Sequence, residues 1–139
     1  MDLRSLEESL MAPFDVALST DVTRLLTNRV MAWGERAGAR AYSEFPVPVY
    51  RSARNGHVYR GRIDVALLGG SQPGLMVEID RTWKTWSLKK LLHMQDHGMD
   101  VVWVRWGRAQ PRDVGVRVLY VPASRTVPAS RTDGRWVSR

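Results

Sequence analysis

Residues 61–68 read Gly61-Arg62-Ile63-Asp64-Val65-Ala66-Leu67-Leu68, and residues 75–80 read Leu75-Met76-Val77-Glu78-Ile79-Asp80. Both are strand-like runs of branched and apolar side chains, and both carry acids, which strands disfavour. Alternation puts Ile63, Val65 and Leu67 on the core face with Leu75, Val77 and Ile79, and sends Asp64, Glu78 and Asp80 to the other. The simplest register sets Asp64 across from Glu78. Directly opposed side chains have Cβ atoms about 4.5–5.5 Å apart, and like charges there weaken the pairing. A divalent cation relieves that repulsion. Two or three carboxylates with the Ile79 carbonyl form a hard oxygen site suited to Mg²⁺ or Mn²⁺. Surface pairing with Arg62 or Arg81 is the ordinary alternative, but one salt bridge does not account for three converging acids.

Outward from these strands the chain alternates helical and extended patterns. Leu3, Leu6 and Leu10 predict a short N-terminal helix over residues 2–12, ended near Pro13. Val22, Leu25, Leu26, Val30, Trp33 and Ala37 form one stripe of a longer helix, with Ser19 or Thr20 as its cap and Gly38 as its stop. From Phe45 the period becomes strand-like. Asn55-Gly56 marks a hairpin turn before a return strand from His57 to Leu68, and Pro48 makes the outgoing strand an edge or a late starter. After a turn at 69–74 and the strand at 75–80, a helix is expected from Trp83 to His97. Its inner face would carry Leu88, Leu91, Leu92 and Gln95. Val101–Val104 and Val114–Val121 read as buried strands. The predicted class is α/β (α+β), a mixed sheet flanked by helices, over a domain of residues 1–121 with its core at 19–121. Val121-Pro-Ala-Ser-Arg-Thr126 is repeated as Val127-Pro-Ala-Ser-Arg-Thr132, which predicts a basic low-complexity tail over 122–139. Arg125, Arg131, Arg135, Arg139 and Trp136 within it offer cations and a stacking ring to nucleic acid.

Charge narrows the partner. The 139 residues hold 21 Lys or Arg against 14 Asp or Glu, a formal +7, which favours a polyanion and makes DNA the expected partner. No cysteine is present, so disulfides, thiolate metal sites and cysteine nucleophiles are excluded. With no apolar run long enough to span a membrane, the expected setting is cytoplasmic. Eighteen of the 21 cations are arginine, and the three lysines, Lys84, Lys89 and Lys90, fall within seven residues. A lysine is a compact charge with a tunable pKa, so its confinement invites a chemical reason.

Asp64, a turn, Glu78-Ile79-Asp80, then a helix and the apolar strand Val101–Val104 resemble the core of the PD-(D/E)XK nuclease superfamily, the restriction-endonuclease-like fold, over about residues 19–121. The resemblance implies a Mg²⁺-dependent (or Mn²⁺-dependent) DNA nuclease hydrolysing phosphodiester bonds. Asp64 and Glu78 match the metal-binding acids. Asp80 stands where that family places its lysine, and members can draw the lysine from a neighbouring element. Helical spacing from Leu88 puts Lys84 near the inner stripe and turns Lys90 away, so Lys84 is the expected replacement. Asp80 would then hold a second metal, and Lys89, Lys90, Arg62, Arg81 and Trp86 would contact nucleic acid. The alternatives are a catalytically inactive DNA-binding protein on the same core, and an assembly protein using Trp83 and Trp86 as a partner or homodimer surface. Glu35 reads as solvated surface and Glu44 as an outside candidate for the metal shell. His93 and His97 have a zinc-pair spacing without the HExxH pattern.

Overall fold

The computed structural model describes residues 2–51, 54–70, 74–108, 112–126 and 134–139. The expected turn at 69–74 and the loop around Pro111 lie partly outside these residues, and Arg131 lies wholly outside them. Helix α1 (Leu3–Met11) starts at Asp2, whose side chain accepts the Arg4 N–H at 3.0 Å. A two-residue strand β1 (Asp15–Val16) precedes α2 (Ser19–Arg36). Then follow β2 (Arg40–Arg51), β3 (Val58–Leu68), β4 (Leu75–Asp80), α3 (Thr85–Asp96), β5 (Asp100–Gly107), β6 (Arg117–Arg125) and β7 (Trp136–Ser138).

The seven strands form one mixed sheet in the order β1-β7-β6-β5-β4-β3-β2. β4, β5 and β6 run parallel, and the remaining neighbours are antiparallel. β2 is an edge, which is where Pro46 and Pro48 can sit without removing a ladder donor from a central strand. On one face α1 and α2 bury Leu6, Leu10, Val22, Leu26, Val30 and Trp33 against Val65, Leu67, Val77, Ile79, Val102 and Val104. On the other face α3 buries Leu91 against Ala66, Met76, Val101 and Trp103. Each buried Val, Leu, Ile or Met among them contributes about 1.5–3 kcal/mol by leaving water.

Three expectations need correction. The start of α2 is organised by Asp21, whose Oδ2 accepts the Leu18 N–H at 3.0 Å, so Ser19 and Thr20 lie inside the helix rather than capping it. Residues 122–126 and 134–139 are not a tail. β6 continues through Arg125, and β7 pairs with both β6 and β1. Ile63 does not share the face of Val65 and Leu67. It packs with Val47, Met76, Leu91 and Trp103, in the core under α3.

That exchange of faces occurs where Glu44 has φ +52°, the one positive-φ non-glycine residue among those described. The flanking pairs are Ser43↔Val65 and Phe45↔Ile63, so the irregularity falls opposite Asp64. Such a backbone costs about 1–3 kcal/mol, and on the strand opposite it Ile63 and Val65, on either side of Asp64, belong to different cores.

Gly34 sets the spacing of α2 from the sheet. A Cβ there would stand against both methyl groups of Leu67, which is fully buried. Gly34→Ala gains about 0.8–1.0 kcal/mol in helix propensity but overpacks at a cost of about 1–3 kcal/mol. The variant is expected to unfold at lower temperature, and a higher midpoint in thermal denaturation would show that Leu67 yields.

Candidate active site

The β3–β4 ladder pairs Leu67↔Leu75, Ala66↔Met76 and Val65↔Val77. It ends there, while β4 stays paired with β5 up to Asp80↔Arg105. Continuing the register would set Asp64 opposite Glu78, as the alternation predicts. The strands part at that point, and the two acids take the place of the missing ladder bonds. The Ile79 N–H donates to Asp64 Oδ2 at 2.7 Å, and the Asp64 N–H donates to Glu78 Oε2 at 3.2 Å. Each carboxylate therefore satisfies a main-chain donor on the other strand's side of the fork, which offsets part of the repulsion between them.

The lysine that completes this cluster is Lys90. Its ammonium donates to the Arg62 carbonyl at 2.6 Å and forms an ion pair with Glu78 Oε1. Only 10% of the Lys90 side chain and 1% of the Glu78 side chain are exposed. The expected outward direction of Lys90 is wrong because the helix presents a different arc. Ser87, Lys90 and Leu91 are its buried residues, joined by the partly buried Met94, at i, i+3, i+4 and i+7. Gln95 is exposed and bonds the Gly115 carbonyl. Gly61 makes room for the lysine stem, since a Cβ there would lie 2.8 Å from Lys90 Cδ and 3.2 Å from Trp86 Cζ2.

Lys84, the expected replacement, is the residue before the first turn of α3. Its side chain is 62% exposed, and Nζ is 3.4 Å from Asp80 Oδ1. Asp80 is also held away from the other acids, because Oδ2 accepts the Trp103 indole N–H at 2.9 Å. The three acids thus do not converge: among the described residues no group of three or more His, Asp or Glu is placed to hold a metal ion. Asp64 and Glu78 remain adjacent. Mg²⁺ commonly binds through one or two carboxylates and keeps several waters, so this pair fits such an ion without a third protein acid. Glu78 Oε1 is buried against the Lys90 ammonium. The Ile79 peptide belongs to the same fork, through its N–H.

Below Asp80 lies a second anchoring group that the sequence does not advertise. Arg105 is 1% exposed, and its Nη1 donates to the carbonyls of Asp80, at 3.0 Å, and Thr82. Its guanidinium carbon lies 4.3 Å from the Trp83 ring centroid and 5.3 Å from that of Trp103. Arg112 lies over Trp83 at 4.5 Å. Nε and Nη2 of Arg105 have no hydrogen-bond partner, and burial lowers its pKa. The rings supply the compensating cation–π contact. This packing ties the end of β4 to the segment entering α3.

Of the residues expected to contact nucleic acid, Arg62, Trp86 and Lys89 are exposed. Arg81 is exposed on the other side of the strand, 5.8 Å from the Trp106 centroid and 5.4 Å from that of Trp136. Glu35 and Glu44 are exposed. The His93 and His97 rings are 4.3 Å apart, and His97 Nδ1 lies 2.8 Å from the His93 carbonyl. Comparison with protein-family models, with curated proteins and with solved structures returns no match.

Burial pushes Glu78 up to about 9 from an ordinary 4.5; Asp64 adds to the rise through its hydrogen bond and charge, and Lys90 opposes it. Against the pull of Lys90, folding therefore favours the protonated form of Glu78 when no metal ion is bound. Its contribution to stability is complete below about 4.5 and is lost as pH rises through about 9. Urea unfolding in EDTA is expected to show the parent losing stability relative to Glu78→Gln between pH 5 and pH 9. A constant difference across that range would show that the carboxyl is not raised.

Proposed function

We propose that this protein is a Mg²⁺-dependent nuclease acting on DNA, built on a restriction-endonuclease-like core. The observation that carries the proposal is the meeting of Asp64, Glu78 and Lys90 at the fork between β3 and β4. Two adjacent carboxylates and one ammonium can supply what phosphodiester hydrolysis needs, a held cation, an activated water and relief of developing charge. A cation bound by Asp64 and Glu78 would polarise the scissile phosphate and lower the pKa of an attacking water. Lys90, rather than Lys84, takes the role that the resemblance assigns to the displaced lysine. Its ammonium is fixed by the Arg62 carbonyl and Glu78, so it orients a water or stabilises developing charge without reorganising. Asp80 and Lys84 form an outlying pair that shapes the approach. Arg62, Trp86 and Lys89 add exposed cations and a 41%-exposed indole suited to a phosphate backbone and a base.

One observation favours the rival reading, a DNA-binding protein without hydrolysis: Asp80 occupies the strand position of the family's lysine and is spent on Trp103 and Lys84. The two readings differ in a cleavage assay on linear, nicked, branched and single-stranded DNA with Mg²⁺ or Mn²⁺ and with EDTA. Lys90→Ala is expected to slow cleavage by about 10² or more, as for loss of a positioned proton-transfer or charge-stabilising group. Lys84→Ala should cost less than about tenfold. Lys90→Met, which keeps the buried stem, controls for folding. Cleavage by Lys90→Met at the parent rate would remove Lys90 from the chemistry, and absence of cleavage by the parent under every metal would leave the binding protein.

A further inference from the structure

The carboxyl ends of the parallel strands β4, β5 and β6 carry Arg81, Arg108 and Arg125, and these line one cavity of about 460 Å³ with Thr82, Ser124 and Trp136. Ligands of open α/β sheets sit outside the carboxyl ends of the strands, and this volume lies within the range of small-molecule pockets. Among the described residues no acid lines it, and Arg81 and Arg108 form no ion pair. Arg81 is pre-positioned by the Trp106 and Trp136 rings, which meet edge to face at 5.3 Å. At the end of β5, Gly107 has φ +104°, a conformation that an L side chain would strain, and its bare backbone leaves the pocket wall open.

We propose that this cavity receives the terminal phosphate of a nucleic-acid strand, with the adjoining nucleoside against Trp136. Several guanidiniums gathered in one concavity repel one another, and a phosphate monoester, at close to −2 near neutral pH, neutralises more of that charge than an internal phosphodiester at −1. Guanidinium forks match phosphate oxygens, the Thr82 and Ser124 hydroxyls can donate to the remaining oxygens, and an indole is a stacking surface for any base. The cavity begins at Arg81, three residues beyond Glu78 along the chain and on the other side of the strand. The inference rests on the nucleic-acid reading above and narrows its substrate to strands bearing a terminal phosphate.

Fluorescence anisotropy in EDTA, with short single-stranded oligodeoxynucleotides carrying a 5′-phosphate, a 3′-phosphate or hydroxyls at both ends, tests it without cleavage. The full chain is expected to bind one phosphorylated end at least about tenfold more tightly than the hydroxyl-ended strand, as loss of a charge-assisted contact would give. The two phosphorylated probes decide which end is held. Arg81→Ala and Arg108→Ala should each reduce that preference to within about twofold of unity, and Arg81→Lys should restore part of it. Arg108 guards against misfolding, since it is exposed. Equal binding of all three strands by the parent, or a preference unchanged in both alanine variants, would overturn the assignment. A phosphate preference in a protein that cleaves nothing would overturn the nuclease reading alone, and failure to bind any of these strands would overturn the end-binding assignment alone.

Discussion

The fork between β3 and β4 is the constraint on which the rest of this architecture depends. Two strands that pair for three residues must separate without leaving their amides unsatisfied, and buried orphan donors cost more than most single contacts return. Asp64 and Glu78 solve that by accepting the Ile79 and Asp64 amides across the gap. The solution places two acids side by side in a nearly dry location, which creates the electrostatic problem that Lys90 partly answers. Structure and candidate chemistry are therefore carried by the same groups.

Helix α3 is fixed at both ends of this problem. Lys90 ties its middle to the fork through Glu78 and the Arg62 carbonyl, and Gly61 gives the lysine stem its path. At the helix entrance, Arg105 bonds the carbonyls of Asp80 and Thr82 and lies over Trp83. A buried ion pair adds little net stability over an apolar replacement, but removing one partner strands the other. The energetic interest of Lys90 and Glu78 thus lies in position rather than in strength.

The opposite side of the strand ends is organised by aromatic packing. Trp106 and Trp136 come from β5 and β7, and Arg81 lies over both. Trp136 reaches this place only because β7 closes the sheet between β6 and β1. A segment that reads as repetitive and polar thereby supplies a wall of the arginine-lined cavity. No helix among the described residues is long and apolar enough to cross a membrane.

The sequence by itself determined the mixed helical and extended composition, the longer helix with its Gly38 stop, the hairpin at Asn55-Gly56 and the adjacency of Asp64 to Glu78. All of these follow from local periods and turn chemistry that adjacent residues carry. It also marked the lysine cluster as unusual, yet it turned Lys90 away from the sheet. Helical phase was the missing quantity: Ser87, Lys90, Leu91 and Met94 form the inner arc only once Gly61 opens a path for a charged stem, and no local pattern reports a neighbour's missing Cβ. The turning of Asp80 to Trp103, the burial of Arg105 beneath Trp83 and the exchange of faces at Ile63 were likewise decided by tertiary structure. Each depends on residues brought together from separate elements. The same holds for β7, whose three residues have too little hydrophobic pattern to announce a strand and become one because β6 and β1 present unpaired edges on either side.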